Sequence, residues 1–213
     1  MMAGSELRPV DPARIQDKLD QMVELARGEL ELALMALETQ APEQAQAVME
    51  RDVGLGQLYR IVEQACLDAL AGEGRSVEAR EVVGCLQIAG ELVRIGGHAR
   101  DIAAIVLAMD SADFSGPMEK LSRMGDLVLE MLAQVGEAVT NRDLSLAQRV
   151  AAEDREVDEL DEETVSSLLM TLMTAPDRSM HSTHLLWIAY HLERIGDRVG
   201  NIADRVDFMA NVS

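Results

Sequence analysis

Seven residues stand out by type and spacing: Asp154, Asp158 and Asp161, followed by Glu193, Asp197, Asn201 and Asp204. Asp154/Asp158 and Glu193/Asp197 are each four residues apart, so on a helix each pair projects from one face as two oxygen donors. Oxygen-rich groups of this kind suit hard or borderline cations. The same acids can be neutralised by arginine, by water at a bundle end or by protonation. Arg155, Arg194 and Arg198 are close enough in sequence to serve. A bound metal and a wet, arginine-compensated groove are therefore both open readings.

The helices that carry these residues sharpen the point. With Asp154 as origin and about 100° per residue, Ala147, Val150, Asp158, Asp161, Val165, Leu168 and Leu172 all fall within about 40°. The result is one stripe, apolar at both ends and acidic in the middle, where a solvated acidic face would lie opposite the apolar one. With Glu193 as origin, Leu186, Asp197 and Asp204 fall within about 40°, and Tyr190 and Asn201 within about 80°. Carboxylates on two facing stripes repel one another and lose hydration, so something must compensate them. Gly196, between Glu193 and Asp197 in this pattern, implies a close approach by a neighbouring helix or room beside the acid pair.

Everything else in the sequence is helical in character. Aromatics are only 2% of the chain and hydrophobic residues 48%, so the core is aliphatic, built from Leu, Ile, Val, Ala and 13 Met. Periodicity and breakers give six helices, at about 12–39, 42–71, 76–109, 117–141, 143–174 and 176–211. Pro12, Pro42, Pro117 and Pro176 stand at helix starts, Asp143 caps the fifth, and Gly72-Glu73-Gly74 breaks the second from the third. The formal charge of −19, from 38 acidic and 19 basic residues, argues against nucleic acid and against an anionic membrane surface. No apolar run approaches the roughly 20 residues of a membrane span, and residues 1–16 contain no signal-peptide core. A cytoplasmic protein is expected.

The two halves repeat. At an offset of 100, Leu86, Ile88, Ala89, Leu92, Arg94, Ile95, Gly96, Ile102 and Ala103 match Leu186, Ile188, Ala189, Leu192, Arg194, Ile195, Gly196, Ile202 and Ala203. At an offset of 102, Leu19, Met22, Leu25, Leu30, Ala36, Asp52 and Leu58 match Leu121, Met124, Leu127, Leu132, Ala138, Asp154 and Leu160. The expected fold is all-α, two tandem three-helix bundles related by internal duplication, at 1–110 and 111–213. The boundary falls in the loop 110–116. The first repeat is degenerate: Val93, Gly97 and Asp101 replace Glu193, Asp197 and Asn201, and Gly56 and Tyr59 replace Asp158 and Asp161. A metal site there has to be rebuilt from other ligands, with Glu91, His98 and Asp101 nearby.

Other candidates are weaker. His181, His184 and His191 fall at helical spacings but read as solvated or capping histidines. Cys66 and Cys85, 19 residues apart, read as buried thiols. Trp187 and Met170–Met173 read as core. No nucleophile elbow, phosphate loop, dinucleotide glycine fingerprint or His-Glu-x-x-His occurs, so an enzyme is not expected.

The segment Leu192-Glu193-Arg194-Ile195-Gly196-Asp197, followed by Asn201-Ile202-Ala203-Asp204 and preceded by the Asp154-x-x-Val157-Asp158-x-Leu160 run, resembles the PhoU family signature. The resemblance covers essentially the whole chain. It implies two three-helix bundles that bind multinuclear iron or zinc clusters through acid pairs. Here these are Asp154/Asp158 and Glu193/Asp197, with Asp161, Asn201 and Asp204 supporting. It also implies a homodimer or larger assembly. Its function would be negative regulation of the phosphate regulon, and so indirectly of transcription, by coupling the phosphate ABC transporter, through its ATPase subunit, to a membrane sensor histidine kinase. The alternative class is a metal-storage or metal-dependent hydrolytic helical-bundle protein using the same carboxylates chemically.

Overall fold

In the computed structural model, residues 12–51, 53–71, 78–109 and 117–210 are described, and all but the short turns and helix caps among them are helical. The elements are α1 (Pro12–Thr39), α2 (Pro42–Arg51), α3 (Val53–Ala71), α4 (Ala79–Ala108), α5 (Pro117–Asn141), α6 (Leu144–Thr174), a 3-10 turn (Pro176–Arg178) and α7 (Ser179–Ala210). The six expected helices are present, the second as α2 and α3 on either side of residue 52. Asp52, Gly72-Glu73-Gly74 and the 110–116 boundary lie outside the described residues. Pro176 opens the 3-10 turn, and the last helix begins at Ser179.

The helix ends follow local chemistry. Asp143 accepts the backbone N–H of Leu146 at 3.0 Å, the expected cap of α6. The duplication reappears in the turns that close α1 and α5. Gln40 and Arg142 both take positive φ, 51° and 54°. The following N–H groups of Ala41 and Asp143 reach back to the carbonyls of Ala36 and Ala138. Two such left-handed helix ends, 102 positions apart, are one turn used twice.

Helices α1 to α4 pack as one three-helix bundle, with α2 and α3 together taking one helix position, and α5 to α7 as the other. The halves join through α1 against α5 and α4 against α7. Both pairs are antiparallel. A Cβ on Gly125 would meet Leu34 and one on Gly136 would meet Val23, so α5 descends as α1 rises. In the other pair Arg80, early in α4, donates to the Phe208 carbonyl late in α7, and Arg205 donates to Gln87. A pseudo-two-fold axis thus relates the repeats. A single aliphatic core runs through both, with Leu19, Met22, Leu30, Ile88, Leu92, Ile95, Leu121, Met124 and Met131 fully buried. Burial of each such side chain contributes about 1.5–3 kcal/mol. Cys66 and Cys85 are buried in it as free thiols.

Candidate metal centre

The position of the acids follows from how α6 and α7 turn toward the core. The buried row of α6 runs through Val150, Val157, Leu160, Thr164 and Leu168. Its centre lies about 70° from Asp154 around the helix. The acids therefore do not replace core positions, as the stripe through Asp154 suggested. They flank the row. Val157, Leu160 and Thr164 win the interior because their apolar area is worth more there than a carboxylate that must be dehydrated. Asp154 and Asp161 end up half-buried, and Asp158 is exposed. The α7 row through Leu185, Ala189, Leu192, Gly196 and Val199 likewise leaves Glu193 and Asp197 half-buried on its flank, with Asn201 and Asp204 exposed.

The two flanks face each other across the α6–α7 contact. Asp154 is seated on the glycines of α7: a Cβ on Gly196 would stand 3.0 Å from its Oδ1 and 3.3 Å from Val157 Cγ1, and one on Gly200 3.4 Å from its Oδ2. Gly196 thus admits a carboxylate and a valine of the neighbouring helix. Dehydration, reinforced by Asp158, Asp197 and Glu193, pushes the Asp154 carboxyl up to about 6. The Asp161 carboxyl is also raised, first by burial and then by Glu193 and Asp158. Asp161 Oδ1 is buried with no hydrogen-bond partner, as is Oε2 of Glu153, two turns earlier on α6.

Arg194 supplies part of the compensation. Its Nε donates to Glu193 Oε2 at 2.6 Å, Nη2 to Oε1 at 2.5 Å, and Nη1 lies 2.9 Å from Asp197 Oδ2. Its guanidinium also sits over the Tyr190 ring, 5.6 Å from the centroid. Glu193 and Asp197 are therefore tied to an arginine, while Asp154 and Asp161 are not. Arg198 turns the other way, toward Glu91 of α4 at 3.5 Å. Arg155 is exposed. Among the described residues, no three of the α6–α7 carboxylates bring oxygens within 4.8 Å of one another. The donor set fits a hard or borderline cation, and the orphaned Asp161 oxygen needs a partner. The present spacing is that of a groove in which Arg194 holds two of the acids, Glu193 and Asp197.

The PhoU domain matches twice, over residues 19–106 and 121–206, once in each half. The chain belongs to the PhoU family. It is 32% identical over 198 residues, covering 92% of the chain and 86% of the relative, to the "Phosphate-specific transport system accessory protein PhoU homolog" of Caulobacter vibrioides. The protein of the same name from Streptococcus pneumoniae is 30% identical over 179 residues, covering 83% and 82% of the two chains. The crystal structure of PhoU from Pseudomonas aeruginosa superposes with a TM-score of 0.88 at 25% identity, over 92% of this chain and 95% of that one.

The two PhoU domains place different groups at their shared glycine. Where Gly196 meets Asp154 and Val157 of α6, Gly96 meets Leu55 of α3 and Glu29 of α1, whose Oε2 would stand 2.8 Å from a Cβ. Leu55 and Val157 are equivalent in the repeat; Glu29 has no acidic counterpart, since Met131 holds its place. Glu29 is only 3% exposed. Its signal was available in the sequence, an acid three residues after Ala26 in the apolar row of α1. His98, Asp101 and His191 form a further group that no single-helix pattern reveals, because two come from one PhoU domain and the third from the other. His191 therefore faces α4 rather than joining His181 and His184 in a histidine stripe.

Proposed function

We propose that this protein is a phosphate transport accessory and regulatory protein, a negative regulator of the phosphate regulon. It works as a metal-binding adaptor between the ATPase subunit of the phosphate ABC transporter and a sensor histidine kinase. The observation that carries this reading is the pair of PhoU domain matches, one in each half, on a bundle whose relatives are named as phosphate-specific transport accessory proteins. No helix of the described residues is long and apolar enough to cross a membrane, so contact with a transporter would be made peripherally. In this reading the α6–α7 groove holds iron or zinc. Asp154, Asp161, Glu193 and Asp197 are the residues that hold it, and Asp158, Asn201 and Asp204 stand at its open rim. The metal supplies the positive charge that the dehydrated carboxylates lack. The protein's own residues seat Asp154 on Gly196 and Gly200 and neutralise Glu193 and Asp197 through Arg194 until a cation arrives. The adaptor acts as a homodimer.

Deleting the gene and following a phosphate-starvation reporter in phosphate-replete medium tests the role. Derepression, restored by the wild-type gene, is expected; unchanged reporter output and unchanged phosphate uptake would remove the regulatory function. Complementation with Asp154→Asn/Asp197→Asn then asks whether the groove matters to signalling, and failure to complement is expected from a folded variant. Size-exclusion chromatography with light scattering checks the dimer.

A further inference from the structure

The α4–α7 contact holds a second set of metal-ligating side chains, separate from the α6–α7 acids. Nδ1 of His98 lies 3.1 Å from Nδ1 of His191, and His191 Nδ1 lies 3.8 Å from Asp101 Oδ2. Three ligand atoms, one from each residue, lie within 4.8 Å of one another, and among the described residues no other group of His, Cys, Asp or Glu does so. We propose that His98, Asp101 and His191 form a mononuclear site for a borderline divalent transition metal such as zinc, which ties the two repeats together across α4 and α7.

The distances suit such an ion. A cation about 2.05 Å from two imidazole nitrogens spans 3.1 Å at an N–metal–N angle of about 100°. With a carboxylate oxygen at about 2.1 Å, the 3.8 Å separation corresponds to an angle of about 130°. Two imidazoles and one carboxylate leave a fourth position open to solvent, beside the exposed Asp101. Metal binding requires neutral imidazole, and burial already holds both rings below the ordinary histidine range.

The duplication adds an independent argument. The pseudo-two-fold axis that relates the repeats carries His98 onto Arg198 and His191 onto Glu91. At that symmetry-related spot the helices are joined by the Arg198–Glu91 ion pair at 3.5 Å. On one side of the middle of the α4–α7 contact the helices thus use opposite charges, and on the other they set two like nitrogen donors against each other with an acid beside them. A neutral histidine pair joined by one N–H donated between the rings would account for the 3.1 Å distance. It leaves unexplained why Asp101 also points its oxygen toward them.

The test uses tag-free, chelator-treated full-length protein labelled with 15N-histidine. Zinc alone is added, and imidazole nitrogen resonances and calorimetry are followed together. The expected result is a shift of both the His98 and His191 Nδ1 signals at one equivalent of zinc. His98→Gln, His191→Gln and the exposed Asp101→Asn should each weaken that event at least about tenfold, as loss of a metal's supporting groups does elsewhere. Asp154→Asn/Asp197→Asn should leave these shifts unchanged, which separates this site from the α6–α7 groove. If the histidine variants do not fold, Asp101→Asn and the wild-type Nδ1 shifts decide. Zinc binding that leaves both Nδ1 signals in place, or that survives Asp101→Asn at full affinity, overturns the proposal.

Discussion

Replacing Asp154 with asparagine should change stability with opposite signs in metal-free and metal-loaded protein. The side chain keeps its shape and its seat on Gly196 and Gly200, and only the charge is removed. An ordinary aspartate titrates at 3.8, and burial beside Asp158, Asp197 and Glu193 raises this one to about 6. A folded-state carboxyl that holds its proton more tightly than the unfolded chain imposes no penalty below pH 3.8. The penalty grows as pH rises to about 6 and is constant above it. The full shift corresponds to about 3 kcal/mol. The carboxyl is half open to water, so screening reduces this to on the order of 1 kcal/mol. In chelator at pH 7.5, Asp154→Asn should therefore be more stable than wild type by on the order of 1 kcal/mol in urea unfolding, and the advantage should shrink toward pH 4. With saturating divalent metal the order should reverse. Metal at a hundred times its dissociation constant stabilises the fold by about 2.7 kcal/mol, part of which the variant forfeits. A variant less stable than wild type in chelator at pH 7.5 would refute the reasoning, because it would mean that the Asp154 charge is already satisfied within the protein.

Three further outcomes are expected. Arg194→Gln removes the cation tied to Glu193 and Asp197, so calorimetry should show divalent-metal affinity in the groove rising on the order of tenfold. Gly136→Ala improves helix propensity but sets a Cβ 2.6 Å from Val23 Cγ1, a stiff, buried, β-branched neighbour at the α1–α5 contact. Denaturant unfolding should show a loss of about 1–3 kcal/mol, relieved by adding Val23→Ala. Burial pushes the Cys66 thiol up to about 11 and the Cys85 thiol up to about 12, so native protein should resist alkylation at pH 8 and react only after unfolding.

The helices were legible because their periodicity, proline starts and the Asp143 cap are local signals, and the structure places them within a few residues of the expected ends. The duplication was legible too, down to Gly96 and Gly196, because the same packing demand was copied with the sequence. The rotation of α6 was not. A stripe drawn through Asp154 also gathers apolar residues, and only the docking of α6 on α5 and α7 decides that Val157 and Thr164, not Asp154, face inward. Nothing in either helix alone encodes the meeting of His98 with His191 or of Glu91 with Arg198, since those contacts are set by the antiparallel pairing of α4 and α7. Glu29 is intermediate: its position in the α1 row was visible, but its glycine partner on α4 was not.

The groove between α6 and α7 is tested most directly by anomalous scattering at the iron and zinc edges, from crystals of untagged protein grown without chelator. The account predicts a peak between the two helices beside Asp154 and Asp161, with Glu193 and Asp197 drawn from Arg194 toward it. Metal-supplemented crystals with no peak there, and with Arg194 still bound to both acids, would contradict it.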